Sequence, residues 1–105
     1  MTLAILWSQS AEQDLDNILA YIGFEYMQAA QALFSKLMEA IEHAASFPEM
    51  AKYIPELGTT YRELLSVRPF RVIYRLRGDE LLIIGVMRME QDFDAGRFVQ
   101  SDSTM

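Results

Sequence analysis

Residues 70–89 read Phe-Arg-Val-Ile-Tyr-Arg-Leu-Arg-Gly-Asp-Glu-Leu-Leu-Ile-Ile-Gly-Val-Met-Arg-Met, and this stretch decides the fold class. Its first half alternates with a period of two, which predicts a strand with two different faces. One face carries Phe70, Val72, Tyr74 and Leu76, and the other carries Arg71, Ile73, Arg75 and Arg77. Gly78-Asp79 is typical of a hairpin turn, and the apolar run over 81–89 predicts the next strand. The stretch therefore predicts an antiparallel β-hairpin.

Two helices are predicted upstream of this hairpin. For the first, Ser8 or Ser10 is typical of an N-cap, and Gly23 marks the end. For the second, apolar residues recur with a period of 3.6 from about Met27 to about Ser46, and Pro48 cannot continue a helix. Because the link between the helices is very short, we expect them to pack antiparallel as a helical hairpin.

The remaining segments complete an α+β fold. Residues 3–7 form a short apolar run that predicts a buried strand, and residues 61–67 predict another strand after a loop over 48–60. The expected order is an N-terminal strand, an antiparallel helical hairpin and a three-stranded antiparallel meander packed on it. The length of 105 residues fits one domain, placed at 1–98, with 99–105 as a disordered tail. A groove between sheet and hairpin would suit a partner helix.

The composition limits the classes of protein. The chain has no cysteine, which excludes disulfides and thiolate chemistry and is compatible with a reducing cytoplasm. The N-terminus has no basic region and predicts no signal peptide, and no apolar run approaches the roughly 20 residues of a membrane span. We therefore expect a cytoplasmic protein with no membrane partner.

The charge is unevenly distributed. Residues 1–61 hold two basic and eight acidic residues, residues 62–88 hold six arginines and three acids, and residues 89–105 hold one arginine and four acids. The net charge of −6 argues against direct nucleic-acid binding, because phosphate contacts need local positive charge. The arginine-rich middle could instead meet an acidic partner.

The arginines form the main candidate site. Arg71, Arg75 and Arg77 are predicted on one side of one strand, and Arg62 and Arg88 on the neighbouring strands. Arginine forks bind carboxylates or phosphates with two hydrogen bonds. The alternative is a solvated sheet face with cross-strand pairs to Glu63, Glu80 or Glu90. We favour binding, because basic residues concentrate here in an otherwise acidic chain.

No other group of residues predicts an active site. A lone His43 near a helix end makes neither a metal site nor a catalytic triad. Tyr74 belongs to the apolar face of its strand, and the acids Glu90, Asp92 and Asp94 lack the spacing of a calcium loop. The sequence therefore predicts no catalytic residue, no metal and no cofactor.

Several motifs in order resemble one toxin family. Residues 7–15, with Ile18 and the pair Tyr21-Ile22, resemble the opening of ParE-type toxins. Phe47-Pro48, residues 56–58 and residues 61–64 continue the likeness. Its most specific parts come last: Phe70-Arg71-Val72-Ile73-Tyr74-Arg75, then Gly85-Val86-Met87-Arg88 and Asp92. The likeness runs from about Trp7 to about Asp92, and it identifies the chain as a member of the RelE/ParE toxin superfamily, whose members are also called plasmid-stabilisation proteins.

The resemblance implies a partner and two modes of action. It implies a toxin of a type II toxin–antitoxin module, neutralised by a cognate antitoxin that wraps around it. ParE-like members poison DNA gyrase, whereas RelE-like members cleave mRNA on the ribosome. Here Leu64, Ser66 and Met89 stand where RelE-type nucleases carry basic residues, and Glu90 and Gln91 stand where ParE-like proteins often carry a basic pair.

We therefore rank three hypotheses. The first is a ParE-like toxin that is not an enzyme and inhibits a target such as DNA gyrase by binding, with Arg62, Arg71, Arg75 and Arg88 as the partner-binding set. The second is a RelE-like ribosome-dependent mRNA endonuclease that uses Arg62, Arg71 and Arg75. The third is a degenerate, non-toxic module that still binds the antitoxin. Exposed apolar surface at the hairpin or the groove would also support a homodimer.

Overall fold

The structure, a computed structural model, describes residues 2–90 and residue 96. Across residues 2–90, two helices and five strands follow one another, with one 3-10 turn between the second and third strands. In chain order they are β1 (Ala4–Trp7), α1 (Gln9–Gly23), α2 (Met27–Ser46), β2 (Lys52–Tyr53), the 3-10 turn (Pro55–Leu57), β3 (Tyr61–Leu64), β4 (Phe70–Arg77) and β5 (Glu80–Arg88).

The five strands form one mixed sheet in the order β1-β5-β4-β3-β2. The three central strands β3, β4 and β5 are antiparallel to their neighbours among these three, as predicted for the meander. β1 adds to the far side of β5 in parallel, with Ala4 opposite Glu80 and Trp7 opposite Ile83. β2 is antiparallel to β3 and covers it only at Arg62 and Glu63. The fold class is thus α+β, with a central meander extended at both edges.

The sheet has a helix-side face, on which α1 and α2 pack, and a helix-distal face. The main core lies between helices and sheet: Leu15, Leu37 and Ile41 meet Val72 and Tyr74 of β4. A smaller core lies on the helix-distal face. Its buried residues are Ile54, Tyr61, Ile73, Leu82, Ile84 and Met87. The alternation predicted for β4 is confirmed, because Val72 and Tyr74 belong to one core and Ile73 to the other.

Helix α1 satisfies polar groups at a bulge in β5. The pairing of β4 with β5 shifts between Ile73 and Tyr74, which face Gly85 and Ile83, so one extra residue, Ile84, is accommodated in β5. The Ser8 hydroxyl donates to the Ile84 carbonyl at 3.2 Å, and Asp14 Oδ2 accepts from the Val86 amide at 3.1 Å. Buried backbone groups need such partners, so α1 and the bulge are specified together.

We expect Ser8→Ala to lower the free energy of unfolding by about 1–3 kcal/mol. Ser8 is the N-cap of α1, and its side chain also accepts from the Ala11 amide at 3.0 Å. The substitution removes the cap and one donor to a buried carbonyl. Urea denaturation measures the change, and Ser10→Ala, inside the same helix, is the matched control with an expected effect within about 0.5 kcal/mol. Equal losses in both variants would contradict the capping role.

The sequence predictions differ from the structure mainly at the strand edges. Helix α2 has the predicted bounds, whereas the strand predicted over 61–67 ends at Leu64. The loop predicted over 48–60 contains the two-residue strand β2 and the 3-10 turn, so the expected three-stranded meander is part of a five-stranded sheet. Of the two candidate caps, Ser8 is the one used. The predicted tail over 99–105 and the acids Asp92 and Asp94 lie outside the described residues.

Among the described residues, no helix combines the length and the apolar character that a membrane span requires.

Candidate functional site

The four arginines predicted to bind a partner lie on two faces of the sheet. Directly opposed residues of paired strands point to the same side. Arg62 is opposite Tyr74, and Arg88 is opposite Phe70, which places both on the helix-side face. Arg71 and Arg75 alternate with these residues on β4 and lie on the helix-distal face. The structure therefore brings Arg71 and Arg75 together on one strand and separates them from Arg62 and Arg88.

Arg71 is mostly buried and forms an ion pair within the sheet. Its Nη1 lies 3.7 Å from Oε1 of Glu63 on β3, and the side chains of Arg71 and Glu63 are 12% and 9% exposed. A charge at this depth is stable only beside an opposite charge or hydrogen-bond partners. The cross-strand pairing that was the alternative to binding is thus present at Arg71, and the residue contributes to the fold whatever else it binds.

Two further arginines of the sheet contact acids of this chain at the surface. Arg77 and Glu80 form an exposed pair at 3.0 Å across the turn that joins β4 to β5. Arg88 pairs with Glu90 and lies 5.5 Å from the Phe70 ring centroid. The hydrogen bond from Arg88 lowers the pKa of the exposed Glu90 carboxyl. Arg88, with its side chain half exposed, is the member of the predicted set that is best placed to meet a partner.

Arg62 holds the loop that follows α2. Its Nη1 donates to the carbonyls of Glu49 and Ala51 at 3.2 and 2.6 Å, and its Nη2 donates to the Tyr53 hydroxyl at 2.8 Å. The guanidinium also lies 4.0 Å from the centroid of the Tyr53 ring, a cation–π contact. The planar fork of arginine suits this arrangement of several acceptors. Arg62 is therefore a structural clamp on residues 49–53, and its predicted role in partner binding stays a prediction.

Tyr74 anchors the start of the same loop from inside the core. Its hydroxyl donates to the Pro48 carbonyl at 2.8 Å, and the residue is fully buried. Burial raises the pKa of the Tyr74 phenol above its ordinary value of 10.0, and the positive charge of Arg62 opposes the rise to a smaller extent. Tyr74 and Arg62 together fix the loop against the sheet.

We expect Tyr74→Phe to remove part of the alkaline destabilisation of the protein. The unfolded chain releases this phenolic proton near pH 10, whereas the folded chain retains it to higher pH because its pKa is raised. The contribution of the Tyr74 phenol to the free energy of unfolding is therefore complete below about pH 10 and is lost as the pH rises above it. Tyr74→Phe costs about 1 kcal/mol at neutral pH through the lost hydrogen bond, but its stability should fall less steeply above about pH 10. Urea denaturation of both proteins at several pH values measures this, and parallel losses would contradict it.

A groove of about 930 Å³ lies between α2 and the end of β3. One wall is the stripe Lys36, Glu39, Ala40 and His43 of α2, and the other is the segment from Leu64 to Arg68. Met50, Ala51 and Lys52 form its floor, so the loop held by Arg62 and Tyr74 shapes it. We call this the α2–β3 groove. A groove between the sheet and the helical hairpin was expected from the sequence, but no residue was assigned to it, although the only lysines of the chain, Lys36 and Lys52, were a usable signal.

The turn between the helices is an exposed aromatic surface. Tyr21 and Phe24 are 85% and 89% exposed, and Tyr26 and Met27 are each 67% exposed. Large apolar side chains grouped in this way are typical of a protein–protein contact. The surface is at the opposite end of α2 from the α2–β3 groove.

Within residues 2–90, no group of three or more histidine, aspartate or glutamate side chains is arranged to hold a metal ion. The predictions of no metal, no cofactor and no catalytic residue stay predictions.

Two solved structures are similar in fold. The chromosomal ParDE toxin–antitoxin system from P. aeruginosa superposes with a TM-score of 0.69 at 21% identity, covering 83% of this chain and 96% of the other. A free E. coli RelE toxin with two arginine-to-alanine substitutions gives a TM-score of 0.60 at 13% identity, covering 100% of this chain and 99% of the other. Both likenesses show the fold. No curated protein matches the sequence significantly.

The sequence itself matches a family profile. The profile is described as "ParE toxin of type II toxin-antitoxin system, parDE", and the match runs over residues 5–93, most of the chain. It includes both helices, the strands β2 to β5 and all of β1 except Ala4. The resemblance found in residues 7–92 is thereby confirmed, and so is the RelE/ParE fold. The chain belongs to the family of ParE toxins of type II toxin–antitoxin systems.

Proposed function

We propose that the chain is the toxin of such a pair and acts in the cytoplasm by binding DNA gyrase, without cleaving RNA. A cognate antitoxin would neutralise it. Membership of the ParE family supports the pairing with an antitoxin, and the P. aeruginosa structure of similar fold is itself described as a ParDE system. The gyrase target rests on the ParE side of the resemblance.

The observation that carries a binding role is the engagement of the sheet arginines within the fold. Cleavage of RNA needs cations that face the scissile phosphate as charge develops on it. Arg71 instead lies beside Glu63 with little exposure, and Arg62 donates to carbonyl groups of its own loop. These are two of the three arginines that a RelE-like mechanism would use. A toxin that acts through surface contacts needs no such constellation.

Two assays with the purified chain test the proposal. In a gyrase supercoiling assay, we expect the chain to inhibit supercoiling or to trap cleaved DNA. In a translation reaction analysed by primer extension, we expect no new mRNA ends. Ribosome-dependent mRNA cleavage without any effect on gyrase would overturn the proposal and establish the RelE-like endonuclease.

We also propose that the exposed hairpin turn mediates self-association of the free toxin. Phe24 and Tyr26 would supply the apolar contact, while nearby acids such as Glu25 would repel one another. Salt screens that repulsion, so a homodimer should strengthen as salt rises. Sedimentation of the wild type and of Phe24→Ser tests this, and a monomer at every salt concentration would exclude it.

A further inference from the structure

We propose that the α2–β3 groove binds an acidic segment of a partner protein, with apolar side chains of that segment seated between α2 and the end of β3. The proposal goes beyond the gyrase and antitoxin assignments, because it names a surface and the chemistry of its occupant. If the chain is the toxin of a pair, the antitoxin is the natural source of the segment, and that identification alone rests on the proposed function.

The basic side chains that make no polar contact within the fold lie together in the groove. Arg62, Arg71, Arg77 and Arg88 contact groups of the chain itself. The side chains of Lys36, Lys52 and Arg68 make no hydrogen bond or ion pair with any residue that the structure describes. All three are exposed, and all three line the same groove. In a chain of net charge −6, this groove therefore concentrates the positive charge that is available to a partner.

The lining of the groove has a net positive charge. Two acids, Glu39 and Glu63, also line it. Glu63 is mostly buried and lies beside Arg71, so its charge is compensated within the sheet. Against the three cations, Glu39 is the one acid of the lining without such compensation among the described residues. The groove thus attracts carboxylates, while the rest of the acidic surface repels them.

The shape of the groove and its apolar lining suit a peptide segment. The positions of Lys36, Ala40 and His43 on α2 follow helical spacing, so their side chains line one continuous wall. Met50 is 67% exposed on the floor, which leaves apolar surface for an anchoring side chain. β2 covers β3 only at Arg62 and Glu63, so Leu64, the last residue of β3, has no strand beside it on the side of β2. The apolar surface at Met50, together with the three cations of the lining, fits a segment that carries both leucine-like and acidic residues.

Hydrogen bonds within the chain fix the groove before any partner binds. Tyr74 fixes the Pro48 carbonyl, and Arg62 fixes the carbonyls of Glu49 and Ala51. The floor is therefore tied to the sheet at three points, and little ordering is left for the binding step. Rigid sites of this kind lose less conformational entropy on association.

The test uses two short synthetic helical peptides as probes, binding to the full chain. One contains leucine, alanine and glutamate, and in the other lysine replaces every glutamate. We expect the acidic peptide to bind by fluorescence anisotropy at least about tenfold more tightly than the basic one, and we expect added salt to weaken it. Stronger binding of the basic peptide would overturn the proposal, because it would assign the binding to the acidic surface.

Substitutions then locate the binding. We expect Lys36→Glu, Lys52→Glu and Arg68→Glu each to weaken the acidic peptide about fivefold or more, and Met50→Ser to weaken it as well. Arg77→Glu makes the same change of charge outside the groove and should leave the affinity within about twofold. Circular dichroism confirms that each variant is folded. Equal effects of Lys36→Glu and Arg77→Glu on the peptide affinity would overturn the proposal. It would also be overturned if the chain self-associates and Met50→Ser abolishes that self-association, because the groove would then bind a second copy of the chain.

This test is independent of toxicity. A chain that neither arrests growth nor affects gyrase would still bind the acidic peptide if the groove is the site. If the chain is toxic but its groove variants bind the peptide with unchanged affinity, the proposed function stands and the proposal for the groove fails.

Discussion

Replacing Arg71 with glutamate should lower the free energy of unfolding by about 3–5 kcal/mol. The Arg71 guanidinium lies 3.7 Å from Glu63 and is mostly buried, so the substitution would place two carboxylates together on the helix-distal face. Both side chains are mostly buried, so the two carboxylates would be poorly hydrated at this position. Urea denaturation followed by circular dichroism measures the loss.

Two variants isolate the ion pair at Arg71. Arg77→Glu breaks an exposed pair on the same strand and should cost no more than about 1 kcal/mol. The exchange Arg71→Glu with Glu63→Arg restores opposite charges at the two positions and should recover part of the loss. An Arg71→Glu protein as stable as Arg77→Glu would show that the pair contributes little.

Replacing Arg62 with methionine should cost about 2 kcal/mol and release the loop after α2. The substitution removes donors to Glu49, Ala51 and Tyr53 while keeping an apolar chain over the Tyr53 ring. Native-state hydrogen exchange should show faster exchange at the Met50 amide, which donates to the Phe47 carbonyl within this segment. Arg62→Lys retains the charge without the planar fork, so it should recover only part of the protection.

This variant also links the loop to the α2–β3 groove. Because the loop forms the groove floor, Arg62→Met should weaken binding of the acidic peptide even though Arg62 does not line the groove. Unchanged exchange at Met50 in Arg62→Met would contradict the clamp. If exchange is faster but the peptide affinity is unchanged, Arg62 still holds residues 49–53, but this contact does not shape the groove for binding.

The long elements of the fold could be predicted from local patterns. The alternation in residues 70–77 and the apolar stripe in residues 27–46 each contain enough periods to fix both type and bounds. A two-residue strand such as β2 contains no period, and its existence depends on pairing with β3 across a loop. The parallel pairing of β1 with β5 joins residues far apart in sequence. Patterns within one segment contain no information on such partners.

The same reason explains what was missed at the candidate site. Period-two alternation assigned Arg71 and Arg75 correctly to one face of β4. It could not place Arg62 or Arg88 relative to them, because the register between strands decides which faces match. The α2–β3 groove joins Lys36, Lys52 and Arg68 from a helix, a short strand and a loop. Only the packing of α2 beside the end of β3 brings these charges together.

Growth after tightly controlled expression of this chain, alone and together with a small open reading frame adjacent to its gene, decides whether the chain is a toxin. A ParE-like toxin should arrest growth when expressed alone, and the adjacent frame should relieve the arrest if it encodes the antitoxin. Western blotting and circular dichroism of the purified chain establish that it accumulates and folds. Continued growth with folded protein present would contradict the claim and would favour the non-toxic binding module.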